Sequence, residues 1–526
     1  MKKIFFIISI FMTHGLLFAQ NWEWAKEDGT SSMYNVGTAI CIDGTGNAYF
    51  TGSYGSSITF NGCGSYSGNG QRALFTAKYD ANGNCLWVVN GQSNSANVNE
   101  GLGITVDKHG NVLETGVFSG DMYFDTIRVL DSANIGAMYV VKFNSNGKAL
   151  WVRTCAYAQG NAISTDGIGN VYVVGEGYFD TLSHCPATGA NGWIIKLDSN
   201  GNCIWGKSFP KNNVWINAIK ADSIGNTFIC GGDTAMAIMG NDTLHGGTTG
   251  ESFIAKLDSS GNFLWAKGPS WDTNANGPYS IGIDKWDNSY MVGVSYGKIV
   301  FSQDTLSLNS NSAYVVKYDS NGHFVRDKAV NNGAADAISV SPNGINYVSG
   351  SYNSTVSLGG FSVSGGPGIF IAAFDSAGNC LGMQSALGSI YSSSVAGDKN
   401  GECYTTGSVY NNSTFGSINL PVTVGNESVF IAKTNRLTST GTGLRQISET
   451  FNVYPNPSAG GYTMQVSSDL LNSTMFIYDI NGKLIFQDKI IQQQSQIEIP
   501  SLSNGMYLIK LNTPNGATLQ KTIVKQ

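Results

Sequence analysis

From Ile40 to Lys433 the apolar and polar positions repeat one pattern seven times. Each copy opens with a short apolar-alternating run such as Ala39–Ile42 and breaks at a turn, Asp43-Gly44-Thr45-Gly46. It resumes through Asn47–Thr51 and stops at Gly52. A variable stretch follows, then Phe75–Tyr79, a second turn at Asp80-Ala81-Asn82-Gly83, and the run Cys85–Val89. Alternation with a period of two, broken by Asp/Asn/Gly turns that accept positive φ cheaply, predicts strands joined in tight hairpins. No segment has helical periodicity.

The Asp-x-x-Gly-Asn anchors fall at Asp43, Asp107, Asp166 and Asp222, with variants at Asp284, Ser341 and Asp398, so successive copies are 56 to 64 residues apart. A fixed long period marks a repeat architecture in which each copy is one structural unit. Four antiparallel strands per copy predict an all-β fold, a seven-bladed β-propeller, with a long connection between the second and third strands, as in Ser53–Arg72. The seventh copy reaches Phe430-Ile431-Ala432-Lys433 and then lacks its fourth strand. The segment Asn21-Trp22-Glu23-Trp24-Ala25-Lys26 matches the fourth strands at Leu86-Trp87, Leu150-Trp151, Ile204-Trp205 and Leu264-Trp265. It is therefore expected to dock as the outer strand of the last blade, pairing an edge that would otherwise stay open.

Composition sharpens this reading. Of 526 residues, 13% are charged, 66 are Gly and 11% are aromatic, which suits a β-rich exported protein. A net charge of −6 leaves no basic footprint for nucleic acid. Met1-Lys2-Lys3, the apolar run Ile4–Met12 and a small residue at Ala19 have the build of a secretory signal peptide over 1–19. No later segment is long and apolar enough for a spanning helix, so the mature chain is expected to have no transmembrane helix. Nine Cys leave at least one outside any intrachain pair, and Cys155 with Cys185 is the candidate bridge. Cys85, Cys203 and Cys380 share one slot in different copies and are not expected to pair with one another.

Recurrent side chains read first as structure. Trp87 and its counterparts are expected to pack blade on blade. Lys78, Lys142, Lys196, Lys256, Lys317 and Lys433 are expected to pair with nearby turn carboxylates, a row of ligand-reading lysines being the alternative. No Cys/His cluster has metal spacing, and the Asp80–Gly83 and Asp198–Gly201 turns lack the closing acid of a calcium loop. Neither metal nor cofactor is expected. Gly293-Val294-Ser295-Tyr296-Gly297 has the hydrolase elbow pattern but aligns with an ordinary strand end of the repeat. His109, His184, His245 and His323 are scattered over different copies, so no catalytic residue is assigned. Long, dissimilar connections gather on one face, where binding residues concentrate. Tyr54, Phe118, Tyr178, Tyr296, Tyr352 and Tyr410 lead into them and are the candidate ligand-binding residues, with packing between blades as their other reading.

The repeats, on residues such as Asp107, Gly110-Asn111, Thr115-Gly116, Lys142 and Trp151, resemble the SBBP-type seven-bladed β-propeller repeat over 20–436. Ser341, Val325, Gly382 and Ala373 depart from the pattern in the later copies. The resemblance implies a propeller and no fixed activity. A Ser/Thr/Gly linker over 437–449 leads to a small antiparallel β-sandwich over 450–526. Its Tyr454-Pro455-Asn456-Pro457 start, its Asp479-x-x-Gly482-Lys483 turn, its Gly505-x-Tyr507 strand and its closing Lys525 resemble the type A C-terminal sorting domain of the type IX secretion system. That resemblance implies passage through the type IX machinery of a Gram-negative bacterium to a secreted or surface-attached location. The expected function is a non-enzymatic binding or adhesion protein for an extracellular glycan or protein. A polysaccharide-active hydrolase or lyase and a structural surface-coat component are the alternatives.

Overall fold

The carboxylate of Asp43 explains why each repeat turns where it does. Its Oδ1 accepts from the backbone N–H of Thr45 and Asn47 at 2.9 and 3.0 Å, and its Oδ2 accepts from the Asn47 amide at 2.8 Å. A short side-chain acceptor bonded to the amides two and four residues on favours the hairpin locally. The same set recurs at Asp107, Asp166, Asp222 and Asp284. At Ser341 the hydroxyl takes over, accepting from Ile345 N–H at 3.1 Å.

The structure is a computed structural model. It describes residues 22–29, 34–68, 72–93, 99–179, 185, 189–190, 192–209, 214–233, 237–244, 251–271, 275–302, 304–422, 426–437, 451–459, 461–466, 470–471, 473–480, 483–498, 503–512 and 518–526. The expected signal peptide at 1–19 and nearly all of the expected linker lie outside them. Among the described residues there is no α-helix. The chain divides into two units, Met1–Gly443 and Leu444–Gln526.

In the first unit, β1 (Trp22–Asp28) precedes the first repeat, β2 (Val36–Ile42), β3 (Ala48–Tyr54), β4 (Ser57–Phe60), β5 (Gly64–Ser67), β6 (Ala73–Tyr79) and β7 (Cys85–Ser93). Strands β2, β3, β6 and β7 pair in that order as an antiparallel meander. The later repeats follow the same plan. Strand β1 pairs antiparallel with Ser428–Thr434, with Trp24 opposite Lys433 and Glu27 opposite Phe430, as expected from the missing fourth strand. First strands pack on first strands in succession along the chain, and the last of them, Ile390–Gly397, packs back against β2.

The variable connection holds regular structure that the repeat pattern did not announce. In the first repeat it is the hairpin β4–β5, whose Ile58 and Phe60 are buried on Phe50 and Phe75. Hairpins recur at Gly120–Phe124/Ile127–Asp131, Ala237–Met239/Asp242–Leu244 and Ser413–Phe415/Ile418–Leu420. In the fifth repeat the same feature is a continuation of Ser289–Phe301 and Asp304–Tyr318. Several also bond to the fourth strand of the preceding repeat, as Met122 does opposite Ser93 and Thr414 opposite Leu387.

Between repeats the recurrent residues form a clasp. Trp87, Trp151, Trp205 and Trp265 donate Nε1–H to the carbonyls of Ser145, Ser199, Ser259 and Ser320, at 3.0 to 3.1 Å. Each carbonyl sits in the turn before the next repeat's fourth strand. Lys78, Lys142, Lys196 and Lys256 reach the same four carbonyls at 3.0 to 3.5 Å. The turn glycine completes the fit. Gly201 holds φ +78°, and a Cβ there would lie 2.9 Å from the Trp151 ring. Carboxylates join at Lys142–Asp107 (3.0 Å), Lys256–Asp287 (3.2 Å), Lys317–Asp284 (3.8 Å) and Lys433–Glu402 (2.9 Å). Lys78 and Lys196 instead lie over the rings of Tyr49 and Tyr172. Where Val325 stands in the Trp slot, Arg326 donates to the carbonyls of Ser376 and Ala377.

The expected Cys155–Cys185 bridge is corrected. The disulfides are Cys63–Cys85 and Cys185–Cys203, with Cα separations of 5.9 and 5.5 Å. In both, a cysteine from the second connection of a repeat lies over the slot that opens that repeat's own fourth strand. Cys155 is in neither bridge, and its thiol faces the Ala156 carbonyl. Cys380 occupies the third such slot, but the facing hairpin turn there carries Gly359 and Gly360 and offers no partner.

The second unit has two antiparallel sheets, Phe451–Tyr454/Gly461–Val466/Gln494–Glu498 and Leu484–Lys489/Thr474–Asp479/Gly505–Asn512/Thr518–Lys525. Both contribute to one core that includes Val453, Tyr462, Met464, Ile477, Ile509 and Ile523.

Candidate functional site

The packed first strands surround a channel of about 760 Å³ of mixed character, lined by Ile104, Ile219 and Ile338 as well as by Asn161, Lys220 and Asp336. Desolvation inside the channel pushes the Asp336 carboxyl up to about 7, whereas Lys220 is exposed to the channel. Burial also raises the Cys41 thiol far above its ordinary range, so it is no thiolate nucleophile.

A second cavity, of about 780 Å³, opens among the long connections. Its walls come from the starts of three first strands and the ends of the repeats beside them. Tyr34, Val36, Arg72 and Glu100 come from the first two repeats, and Tyr391, Ser408, Tyr410, Asn411, Asn426 and Glu427 come from the seventh. Tyr34, Tyr391 and Tyr410 are 55%, 57% and 37% exposed, an unusual concentration of open aromatic surface. The rings of Tyr391 and Tyr410 stand edge to face, centroids 5.8 Å apart and planes at 89°.

The charged groups are held in place. Arg72 pairs with Glu100 at 3.2 Å and lies over the Tyr34 ring at 5.2 Å. Glu100 also accepts from Ser53 at 3.4 Å, and burial raises its carboxyl despite Arg72. Glu427, buried, accepts from Tyr34 N–H at 2.8 Å, while its backbone carbonyl accepts from the Asn35 amide. Burial and then the Glu427 carboxylate push the Tyr410 phenol up to about 12, so it stays protonated.

Of the six aromatic residues singled out from sequence, Tyr410 alone is seen to line this cavity. Tyr54 and Phe118 are fully buried and Tyr352 nearly so, so their rings offer no face to a ligand. Tyr54 donates to Asn90 at 2.5 Å, and Phe118 packs on Tyr139. These three serve packing, because the second strand ends under the hairpin that follows it. The side chains of Tyr178 and Tyr296 lie outside the described residues. Tyr34, Arg72, Glu100, Tyr391 and Glu427 were missed, since each occurs once and no repeat position signals it. Among the described residues no group of three or more His, Cys, Asp or Glu is placed to hold a metal ion. No helix among them is long and apolar enough to cross a membrane.

In the second unit the Tyr454–Pro457 segment docks on the last strand. The Asn456 amide donates to Thr522 O at 2.9 Å and its Oδ1 accepts from Val524 N–H at 2.8 Å. Asp479 closes the hairpin by accepting from Lys483 N–H at 2.9 Å; Gly482 lies outside the described residues. Tyr507, in the strand opened by Gly505, donates to Ser503 O at 2.8 Å, and Lys525 bridges to Ser458.

Comparison with known proteins bears chiefly on this unit. No curated protein matches the chain. Among solved structures, one from "Crystal Structure of Mitotic Checkpoint Complex" is 9% identical with a TM-score of 0.40, covering 77% of this chain and 92% of its own. A gluconolactonase from Xanthomonas campestris is 10% identical with a TM-score of 0.29, covering 62% of this chain and 90% of its own. PorZ, described as a surface component of the type IX secretion system of Porphyromonas gingivalis, is 10% identical with a TM-score of 0.14, covering 95% and 100%. These likenesses are too distant to transfer anything to this chain. Residues 452–525 match the family model for the secretion system C-terminal sorting domain. The C-terminal unit is thus a type IX sorting domain, and the chain is an exported protein handled by that secretion machinery, secreted or surface-attached.

Proposed function

We propose that the exported chain is a non-enzymatic extracellular binding protein, an SBBP-type seven-bladed β-propeller fastened by its N-terminal strand, which takes its ligand in the tyrosine-lined cavity. The succession of first strands that returns to β2 supports the ring. So does the Trp24–Ala81 contact at 3.0 Å, which repeats the clasp of the other joints across the seam. The carrying observation is the cavity itself, three solvent-facing tyrosines around charged groups already fixed by partners. Its described lining has neither His nor Cys, and its two carboxylates are bonded to Arg72 and to Tyr34 N–H, which suits recognition better than proton transfer.

The reading is tested by incubating the mature full chain with digests of extracellular polysaccharides and measuring both retention and new reducing ends. Retention without cleavage, weakened at least tenfold by Tyr391→Ala, is the expected result. New reducing ends made by the wild type and not by Glu427→Gln overturn the non-enzymatic assignment.

A further inference from the structure

We infer that the tyrosine-lined cavity is a site for a neutral oligosaccharide; this rests on the binding reading above and names its ligand class. The shape of the cavity suits such a ligand. At about 780 Å³ the cavity falls within the range of small-ligand sites, roughly 300–1,000 Å³, and has room for several sugar rings. Tyr391 and Tyr410 meet as perpendicular walls. One face of a pyranose is a sheet of C–H groups, which leaves water on contact with an aromatic ring. Perpendicular rings offer such contact to two successive residues of a bent chain.

The polarity of the lining suits it as well. Ser408, Asn411, Asn426 and the phenols supply neutral donors and acceptors around the aromatic walls. Hydroxyl groups need both kinds at close spacing, since each one buried without a partner loses the hydrogen bonds it made to water. Neutral amides and phenols meet that need without drawing in a counter-ion.

Charge decides between sugar classes. The lining holds Arg72 against Glu100 and Glu427, one cation and two anions. Arg72 is already engaged on both sides, by Glu100 at 3.2 Å and by the Tyr34 ring at 5.2 Å. A uronate or sulfated sugar would meet a surplus of negative charge, with no free cation among the described lining residues to receive it. A quaternary ammonium is the competing class, because tyrosines beside a carboxylate attract cations. Glu427 is buried and already accepts from Tyr34 N–H, and its surroundings are rich in amides, which favours hydroxyls over a methylated cation.

The experiment is calorimetric titration of the mature full chain with five probes: laminarihexaose, cellohexaose, xylohexaose, tetragalacturonate and choline. Tyr391→Ala and Tyr410→Ala are compared with Tyr123→Ala, an exposed tyrosine on another hairpin, and melting curves confirm that all three fold. Expected is binding of at least one neutral hexaose, weakened tenfold or more by both cavity variants and unchanged by Tyr123→Ala, with tetragalacturonate at least tenfold weaker. Tetragalacturonate or choline binding more tightly, and losing affinity in the cavity variants, overturns the sugar class while leaving a binding site in place. Binding of no probe, or binding that ignores both cavity variants, overturns the inference; joined to absent retention in the digest experiment, it overturns the binding reading as well.

Discussion

The carbonyl of Ala81 accepts from Trp24 and from Lys433, residues 57 and 352 positions away. Each such bond contributes about 1 kcal/mol net, so no single clasp decides stability. Repetition does, because every joint fixes the angle between neighbouring sheets in the same way. These residues were legible in sequence because they recur. Two buried acids were not, because each stands alone. Asp28, at the end of β1, accepts from Tyr79 OH at 2.7 Å, and burial pushes its carboxyl up to about 7. Glu114 accepts from Thr51 at 2.9 Å and Tyr139 at 2.5 Å, and burial likewise pushes it up to about 7. A carboxyl raised in the folded state binds its proton more tightly there than in the unfolded chain. Its contribution is full below the unfolded value near 4 and is lost as pH climbs towards 7, up to about 4 kcal/mol for Asp28. Asp28→Asn, which mimics the protonated form, is therefore expected to melt above the wild type at pH 8 and close to it at pH 4. Melting curves in which the variant gains nothing at pH 8 contradict this account of Asp28.

At the scale of elements, the hairpins inside the variable connections do the most unannounced work. They cover the aromatic faces of their own sheets, and several bond to the neighbouring repeat's outer strand. Sequence comparison between copies missed them because their lengths and residues differ from repeat to repeat. The alternation in Ser-Ile-Thr-Phe at 57–60 was the available signal, since Ile58 and Phe60 point inward together. The first of these hairpins also explains a disulfide. Cys63 follows the β4 strand closely and so falls over Cys85. Closing a segment of 22 residues stabilises by about 3 kcal/mol in the chain-entropy view. Replacing Cys63 and Cys85 together by Ser is expected to lower the melting temperature by several degrees and to open 57–67 to proteolysis. A double variant that melts with the wild type and resists cleavage contradicts that role.

For the first unit as a whole, architecture was far more legible than the site. Strand order, turn residues and the docking of β1 all follow from a pattern repeated often enough to reveal itself. The sorting unit was legible too, because its motif residues stand in fixed order. The cavity was not, because the repeat positions that line it carry residues of different type in the first two repeats and the seventh, far apart in sequence and brought together by the return of the chain. That geometry ties function to the seam. Loss of β1 would leave Ser428–Thr434 as an open edge beside Glu427.

The most direct measurement is amide hydrogen exchange on the full chain with and without residues 21–26. With those residues removed, protection is expected to fall together across 428–434, β2 and the segments bearing Tyr391 and Tyr410, since the proposed ring would open as one event. Protection that stays intact at β2 and around Tyr391, with loss confined to 428–434, would contradict closure of the ring by β1.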